Sequence, residues 1–176
     1  MNIMNTLPKR KKIRLEGYDY SSAGCYFVTV CVKSPEDFLW RRVGADIIRP
    51  NYEFVEELPL PLTRNGQIVE QAIRNITSHY SNVIVEKYCI MPNHIHLLLL
   101  FLPDENGRII SAPTLSTVIG QMKRWVSKEL GKSIWQKSYV DRIIDSDKAY
   151  EAVWQYIENN PRKWQIDKTT YKGEKL

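Results

Sequence analysis

The sequence predicts an α+β fold: a ferredoxin-like antiparallel sheet in the order β-α-β-β-α-β, with one added helix at the C-terminal end. Three observations carry that prediction. Residues 26–32 (YFVTVCV) and 83–90 (VIVEKYCI) are short runs rich in β-branched and aromatic residues. Residues 66–79 and 115–130 instead place apolar side chains at helical spacing. Residues 94–102 are almost continuously apolar, as in a central strand covered on both faces. At 176 residues the chain is long enough for one self-supporting domain over 1–176. A basic arm is expected over 1–14, an irregular insert over about 34–63 and a polar tail over 165–176.

Each element has its own local reason. Gly24 precedes the first strand, and Pro35, Pro50, Pro59 and Pro61 punctuate the insert after it, where short strand-like pieces such as 45–49 are expected. Ile68, Val69, Ala72, Ile73 and Ile76 form the apolar stripe of the first helix. Pro92-Asn93 makes the turn between the second and third strands. Leu115, Val118, Ile119, Met122, Val126 and Leu130 mark the second helix, and Gly131 ends it. A fourth strand is expected over 134–144. Ser146 or Asp147 can cap a last helix, which should run to about Asn160 and stop at Pro161.

Composition narrows the class of function. Twenty-five Lys and Arg against 20 Asp and Glu leave a net charge of +5, the right sign for a polyanionic partner. Cys25, Cys31 and Cys89 are odd in number and lack metal-type spacing, so they read as structural thiols in a reducing compartment. No run approaches the ~18 apolar residues of a membrane span, and no signal-peptide core opens the chain. A cytoplasmic protein with no membrane partner is expected.

Two of the three histidines, His94 and His96, stand two apart at the start of the third strand. Residues at i and i+2 of a strand share a face, so both imidazoles converge beside Leu98, Leu100 and Leu102. Neutral imidazole is a good ligand for first-row metals. Two hydrogen-bonded histidines at a strand edge would satisfy the same pattern, and His79, alone at a helix end, carries no such signal. Val153, Tyr156, Ile157 and Asn160 form one stripe of the last helix, which by itself is compatible with ordinary packing.

The blocks flanking these residues resemble the single-tyrosine HUH transposases, and among them the REP-associated tyrosine transposases. Met91-Pro92-Asn93-His94-Ile95-His96-Leu97-Leu98 is similar to the family's His-hydrophobe-His motif. Ile13-Arg14-Leu15, Gly17-Tyr18-Asp19-Tyr20, Gly24 and Tyr26-Phe27-Val28-Thr29 resemble its opening. Met122-Lys123, Ile134-Trp135-Gln136 and the stretch from Tyr156-Ile157 to Asn160-Pro161 and Trp164 resemble its later blocks, in order. The resemblance spans about residues 10–165 and agrees with the predicted fold.

The resemblance implies a DNA transposase: a metal-dependent endonuclease and strand transferase acting on single-stranded, hairpin-forming repeat DNA. Tyr156 matches the catalytic tyrosine, with Tyr150 the weaker alternative, and it would form a 5′-phosphotyrosine link. His94 and His96 match two metal ligands and Asn160 a third, for Mg²⁺ or Mn²⁺. Pro161 disfavours helical geometry at the residue before it, which would leave Asn160 room to swing toward the metal. Arg14, Lys123, Arg124, Arg142 and Lys163 are candidate DNA contacts, with Lys123 and Arg124 ranked first. Trp125, Trp135 and Trp164 are candidate base-stacking platforms. Relatives exist as single chains and as homodimers, so a monomer or homodimer is expected. Asp145 stands where many relatives carry a basic residue, and the segment 41–61 has no obvious role. The rival readings are an HUH replication or conjugation initiator, a catalytically silent nucleic-acid-binding module of the same fold, and a hydrolase that uses water.

Overall fold

The structure is a computed structural model that describes residues 23–40, 62–103 and 113–170. The basic arm with Arg14, the expected piece at 45–49 and residues 171–176 lie outside the described residues, as do the side chains of 164–170, Trp164 among them. The elements run β1 (Gly24–Cys31), α1 (Arg64–His79), β2 (Val83–Ile90), β3 (His94–Phe101), α2 (Leu115–Glu129), β4 (Val140–Ile144) and α3 (Asp147–Thr170). The strands order as β2-β3-β1-β4 with every neighbouring pair antiparallel. That is the ferredoxin-like plan predicted from the sequence.

β3 is the spine of the sheet, paired on both sides, and its alternation sorts the two faces. Ile95, Leu97 and Leu99 point one way, beside Tyr26, Val28 and Val30 of β1, and all six are fully buried. Tyr88, opposite Leu97 in β2, donates its hydroxyl to Glu70 of α1, so α1 covers this face, and α2 lies against α1. Removing that much aliphatic surface from water contributes roughly 1.5–3 kcal/mol per side chain. The opposite face carries His94, His96 and Leu98 of β3 with Phe27, Thr29 and Cys31 of β1. α3 crosses it along β2 and β3.

Local chemistry explains the helix starts. Thr63 accepts the Gly66 amide to cap α1, and Thr114 accepts the Thr117 amide to cap α2. Ser146 serves α3 in the same way, through the Ala149 amide. Gly131, at φ +66°, takes the left-handed conformation that closes α2.

Three expectations are corrected. α3 does not stop at Pro161 but continues to Thr170. Proline removes one amide donor and crowds the preceding turn, and here the chain beyond it still winds as helix. Asn160 is therefore held helical rather than freed. The strand expected over 134–144 is split: Trp135 bridges Val32, residues 136–139 lie outside the regular ladder, and β4 begins at Val140. Lys123 Nζ pins this excursion by donating to the carbonyls of Gln136 and Ser138 at 2.7 and 3.3 Å.

The insert, finally, is not irregular at its ends. Leu39 and Trp40 are core residues, Trp40 bridges Leu62, and its indole donates to the Ile90 carbonyl at 2.7 Å. The Leu39 amide donates to the Pro92 carbonyl, so this limb roofs the turn that leads into His94.

Candidate active site

The turn before β3 is clamped on several sides. Met91 donates to the His94 carbonyl, and Val32 donates to the Asn93 carbonyl at 2.9 Å. Met91 and Pro92 are buried. β3 then continues in register with β1, setting His94 opposite Cys31 and His96 opposite Thr29. Both histidines thus start from backbone that is hydrogen-bonded to its neighbours.

Their ring nitrogens face each other. His94 Nε2 and His96 Nε2 are 3.0 Å apart. His94 Nδ1 donates to Asn93 Oδ1 at 2.7 Å, and His96 Nδ1 meets Thr29 Oγ1 at 2.9 Å. In the tautomer with both Nδ1 atoms protonated, two lone pairs confront one another across that gap. Burial lowers the pKa of both rings, and for His96, with His94 adding to the effect, to about 3. Both are therefore neutral at physiological pH, as metal ligands must be.

Two imidazole nitrogens bound about 2.1 Å from one ion, at about a right angle to each other, stand about 3 Å apart. The observed separation fits that arrangement, and the Nδ1 partners are of the kind that orient histidines at metal sites. Among the described residues no cluster of three His, Cys, Asp or Glu side chains exists that would enclose an ion. Among those residues, further ligands to an ion would be amide or hydroxyl oxygen, with water or substrate.

Tyr156 completes the constellation. Its hydroxyl lies 3.5 Å from His96 Nε2, and its ring meets His96 edge-on, with centroids 5.2 Å apart. Phe27 stacks on His96 at 5.2 Å and touches Tyr156 edge-to-face at 5.8 Å, so one phenyl ring buttresses both. Tyr156 remains 45% exposed, unusual for a large side chain set against a sheet, and accessible to a macromolecular substrate. Tyr150 turns elsewhere: its hydroxyl donates to Glu86 at 3.0 Å, and burial with the Glu86 carboxylate pushes its pKa up to about 12. Tyr139 bonds Ser116.

Asn160 stands one turn beyond Tyr156 on the same helix face, half-buried. Its Nδ2 is sealed from solvent with no hydrogen-bond partner among the described residues, and a buried amide left so is uncommon. The proposed cationic contacts are spread around this site. Arg142 is exposed and sits opposite Phe27, on the face of the His pair. Lys163 is exposed on α3, one turn past Asn160. Lys123 is committed to backbone carbonyls, and burial lowers its pKa. With exposed Arg124 and Lys137 it lines a cleft of about 510 Å³ between α2 and residues 133–139. Gln136 donates its amide to the Cys31 carbonyl, so this cleft adjoins the strand position facing His94. Trp135 is buried and Trp125 half-buried, which makes them packing residues first.

Sequence reasoning missed Thr29, Asn93 and Phe27. Asn93 adjoins His94, but Thr29 and Phe27 enter only through the β1–β3 register, which no local pattern specifies. The cysteines are free, and burial raises the thiol pKa of all three, pushing Cys89 to about 12.

The IS200-like transposase family profile matches residues 63–160, more than half of the chain, from the cap of α1 through Asn160. The chain belongs to that family. A Haemophilus influenzae protein of uncharacterized function is 26% identical over 177 residues, covering 90% of this chain and 91% of its own. Among solved structures, a REP-associated tyrosine transposase bound to a REP hairpin superposes with a TM-score of 0.54 at 20% identity, over 85% of this chain and 74% of the other. At that identity the likeness is one of fold. No helix among the described residues is long and apolar enough to cross a membrane.

Proposed function

We propose that this transposase-family protein cuts and rejoins single-stranded DNA through a covalent link to Tyr156, with His94 and His96 holding a divalent ion. The observation that carries the reading is the placement of the Tyr156 hydroxyl 3.5 Å from a histidine whose Nε2 faces a second histidine Nε2 at 3.0 Å. Asn160, one turn beyond Tyr156 on the same helix face, is the proposed third ligand through its amide oxygen. Two imidazoles and an amide favour Mn²⁺ over Mg²⁺ on ligand softness, while Mg²⁺ is the more available ion. When bound, such an ion supplies charge neutralisation and orientation at a phosphate oxygen.

The chain's own residues do the rest. Tyr156 Oη attacks phosphorus, a Tyr-O–P bond forms, and the bond from phosphorus to the 3′-oxygen breaks. The tyrosine gives up its hydroxyl proton and the departing oxygen gains one, leaving a free 3′-hydroxyl and a 5′-phosphotyrosine. One phosphodiester replaces another, so bond energy is kept for rejoining and neither ATP nor water is consumed. Phe27 holds the tyrosine and His96 rings together, and Arg142, Arg124, Lys137 and Lys163 offer charge to the flanking strand. The solved structural neighbour was bound to a REP hairpin, and hairpin-forming repeats are the substrate class proposed here.

The test uses single-stranded hairpin DNA with Mn²⁺, resolved on a denaturing gel. A protein–DNA adduct should form and should vanish in Tyr156→Phe, while Tyr150→Phe still forms it, more slowly. Cleavage that survives Tyr156→Phe assigns the chemistry to water. Binding without cleavage across a panel of repeat hairpins assigns a silent binding module.

A further inference from the structure

β2 contains an irregularity that the fold does not require. Val85 pairs with Leu99 and Lys87 with Leu98, leaving Glu86 as an extra residue at a β-bulge. In a regular strand, neighbouring side chains point to opposite faces. Here the bulge lets adjacent residues reach the same helix. Glu86 accepts the Tyr150 hydroxyl at 3.0 Å. Lys87 pairs with Glu158, and its ammonium stands 4.2 Å from the centre of the Trp154 ring.

Tyr150, Trp154 and Glu158 recur every four residues and form one flank of α3. Val153 and Ile157, the buried residues of this helix among those described, lie beside that flank. Tyr156 lies on the other side of them. Two apolar side chains fix the height of a helix over a sheet better than its rotation, because dispersion contacts are non-directional. Ion pairs and hydrogen bonds are directional. Rotating a helix whose side chains reach about 5–6 Å from its axis by about 20° displaces their tips by about 2 Å. A displacement of about 1 Å can already slow an oriented reaction about a hundredfold.

We propose that the bulged edge of β2 is a positioning device for the nucleophile: Glu86 and Lys87 grip α3 at Tyr150, Trp154 and Glu158 and so set the rotation that keeps Tyr156 beside His96. The inference rests on the metal and tyrosine roles argued above. It assigns Glu86 and Lys87 as positioning residues that touch neither substrate nor ion.

The experiment reads position directly and needs no DNA. Fluorotyrosine is placed at 156 in the full chain, and the broadening of its fluorine signal by Mn²⁺ is compared with a Mg²⁺ control. Paramagnetic broadening falls with the sixth power of distance, so a modest rotation is visible. Glu158 is 60% exposed, so Glu158→Lys should fold while setting two cations against each other. Broadening is expected to fall several-fold in Glu158→Lys with Mn²⁺ affinity unchanged, and to return in the charge-swapped pair Lys87→Glu with Glu158→Lys. Unchanged broadening in Glu158→Lys, or no recovery in the swapped pair, overturns the positioning role while the metal site stands. Absence of broadening in the parent protein, by contrast, overturns the metal–tyrosine reading and the proposal with it. Wild-type broadening in Glu86→Gln together with Tyr150→Phe would confine the device to Lys87 and overturn the part assigned to the bulge.

Discussion

Replacing Thr29 by valine tests whether the imidazole pair is a ligand set or a packing motif. Valine keeps the β-branched shape that suits the middle of β1 and removes one thing, the hydroxyl 2.9 Å from His96 Nδ1. Without that partner, the Nδ1-protonated tautomer is no longer selected, and the Nε2 lone pair facing His94 is present only part of the time. Loss of such an outer hydrogen bond typically lowers metal affinity about 10–100-fold, or about 1.4–2.7 kcal/mol. His96 is 4% exposed, so water cannot readily replace the hydroxyl. Mn²⁺ titration followed by electron paramagnetic resonance gives the dissociation constant directly. Thr29→Ser should bind within about threefold of the parent, because serine restores the oxygen. A folded Thr29→Val protein that binds Mn²⁺ as the parent does would refute the tautomer argument, and with it the assignment of Thr29 as a site residue.

Two further outcomes are expected from the same geometry. In the metal-free protein, the His96 pKa is lowered from 6.5 to about 3. The unfolded chain therefore takes up a proton that the folded one refuses, and stability falls as pH drops below about 6.5. At about pH 5 the loss from His96 alone is about 2 kcal/mol, with His94 acting in the same direction; urea unfolding at two pH values measures it, and a fall equally large in His96→Gln would remove His96 as its cause. Gly66→Ala should destabilise the protein by about 3 kcal/mol, because a Cβ there would lie 2.2 Å from the Leu39 carbonyl oxygen; thermal unfolding of the variant checks this.

The sequence displayed the fold because each element announced itself locally. β-branched runs gave β1 and β2, unbroken apolar character gave β3, and helical spacing gave α1 and α2. The ends of elements were less legible. Pro161 reads as a stop in isolation, yet α3 passes through it. The strand around Ile134 hides an excursion held by contacts remote in sequence, Lys123 from α2 and the Cys31 carbonyl of β1 among them. The site was half legible for a similar reason. His94, His96 and Tyr156 carry recognisable neighbours, whereas Thr29 and Phe27 join them through strand register across more than sixty residues. The bulge at Glu86 was invisible, since an extra residue in a ladder leaves no local pattern. Leu39 and Trp40 looked like part of an unstructured insert because their partners, Leu62 and the Ile90 carbonyl, are remote in sequence.

That last pairing has a consequence for how this scaffold can change. Trp40 and Leu62 face each other as the two posts of a gate, both bonded into the framework. Whatever chain joins the posts starts and finishes at neighbouring points. Chain-closure entropy grows slowly with length, by about 0.6 kcal/mol per doubling. Closure entropy therefore sets only a weak limit on the length of the connection that can join them. That junction adjoins the roof of the histidine turn.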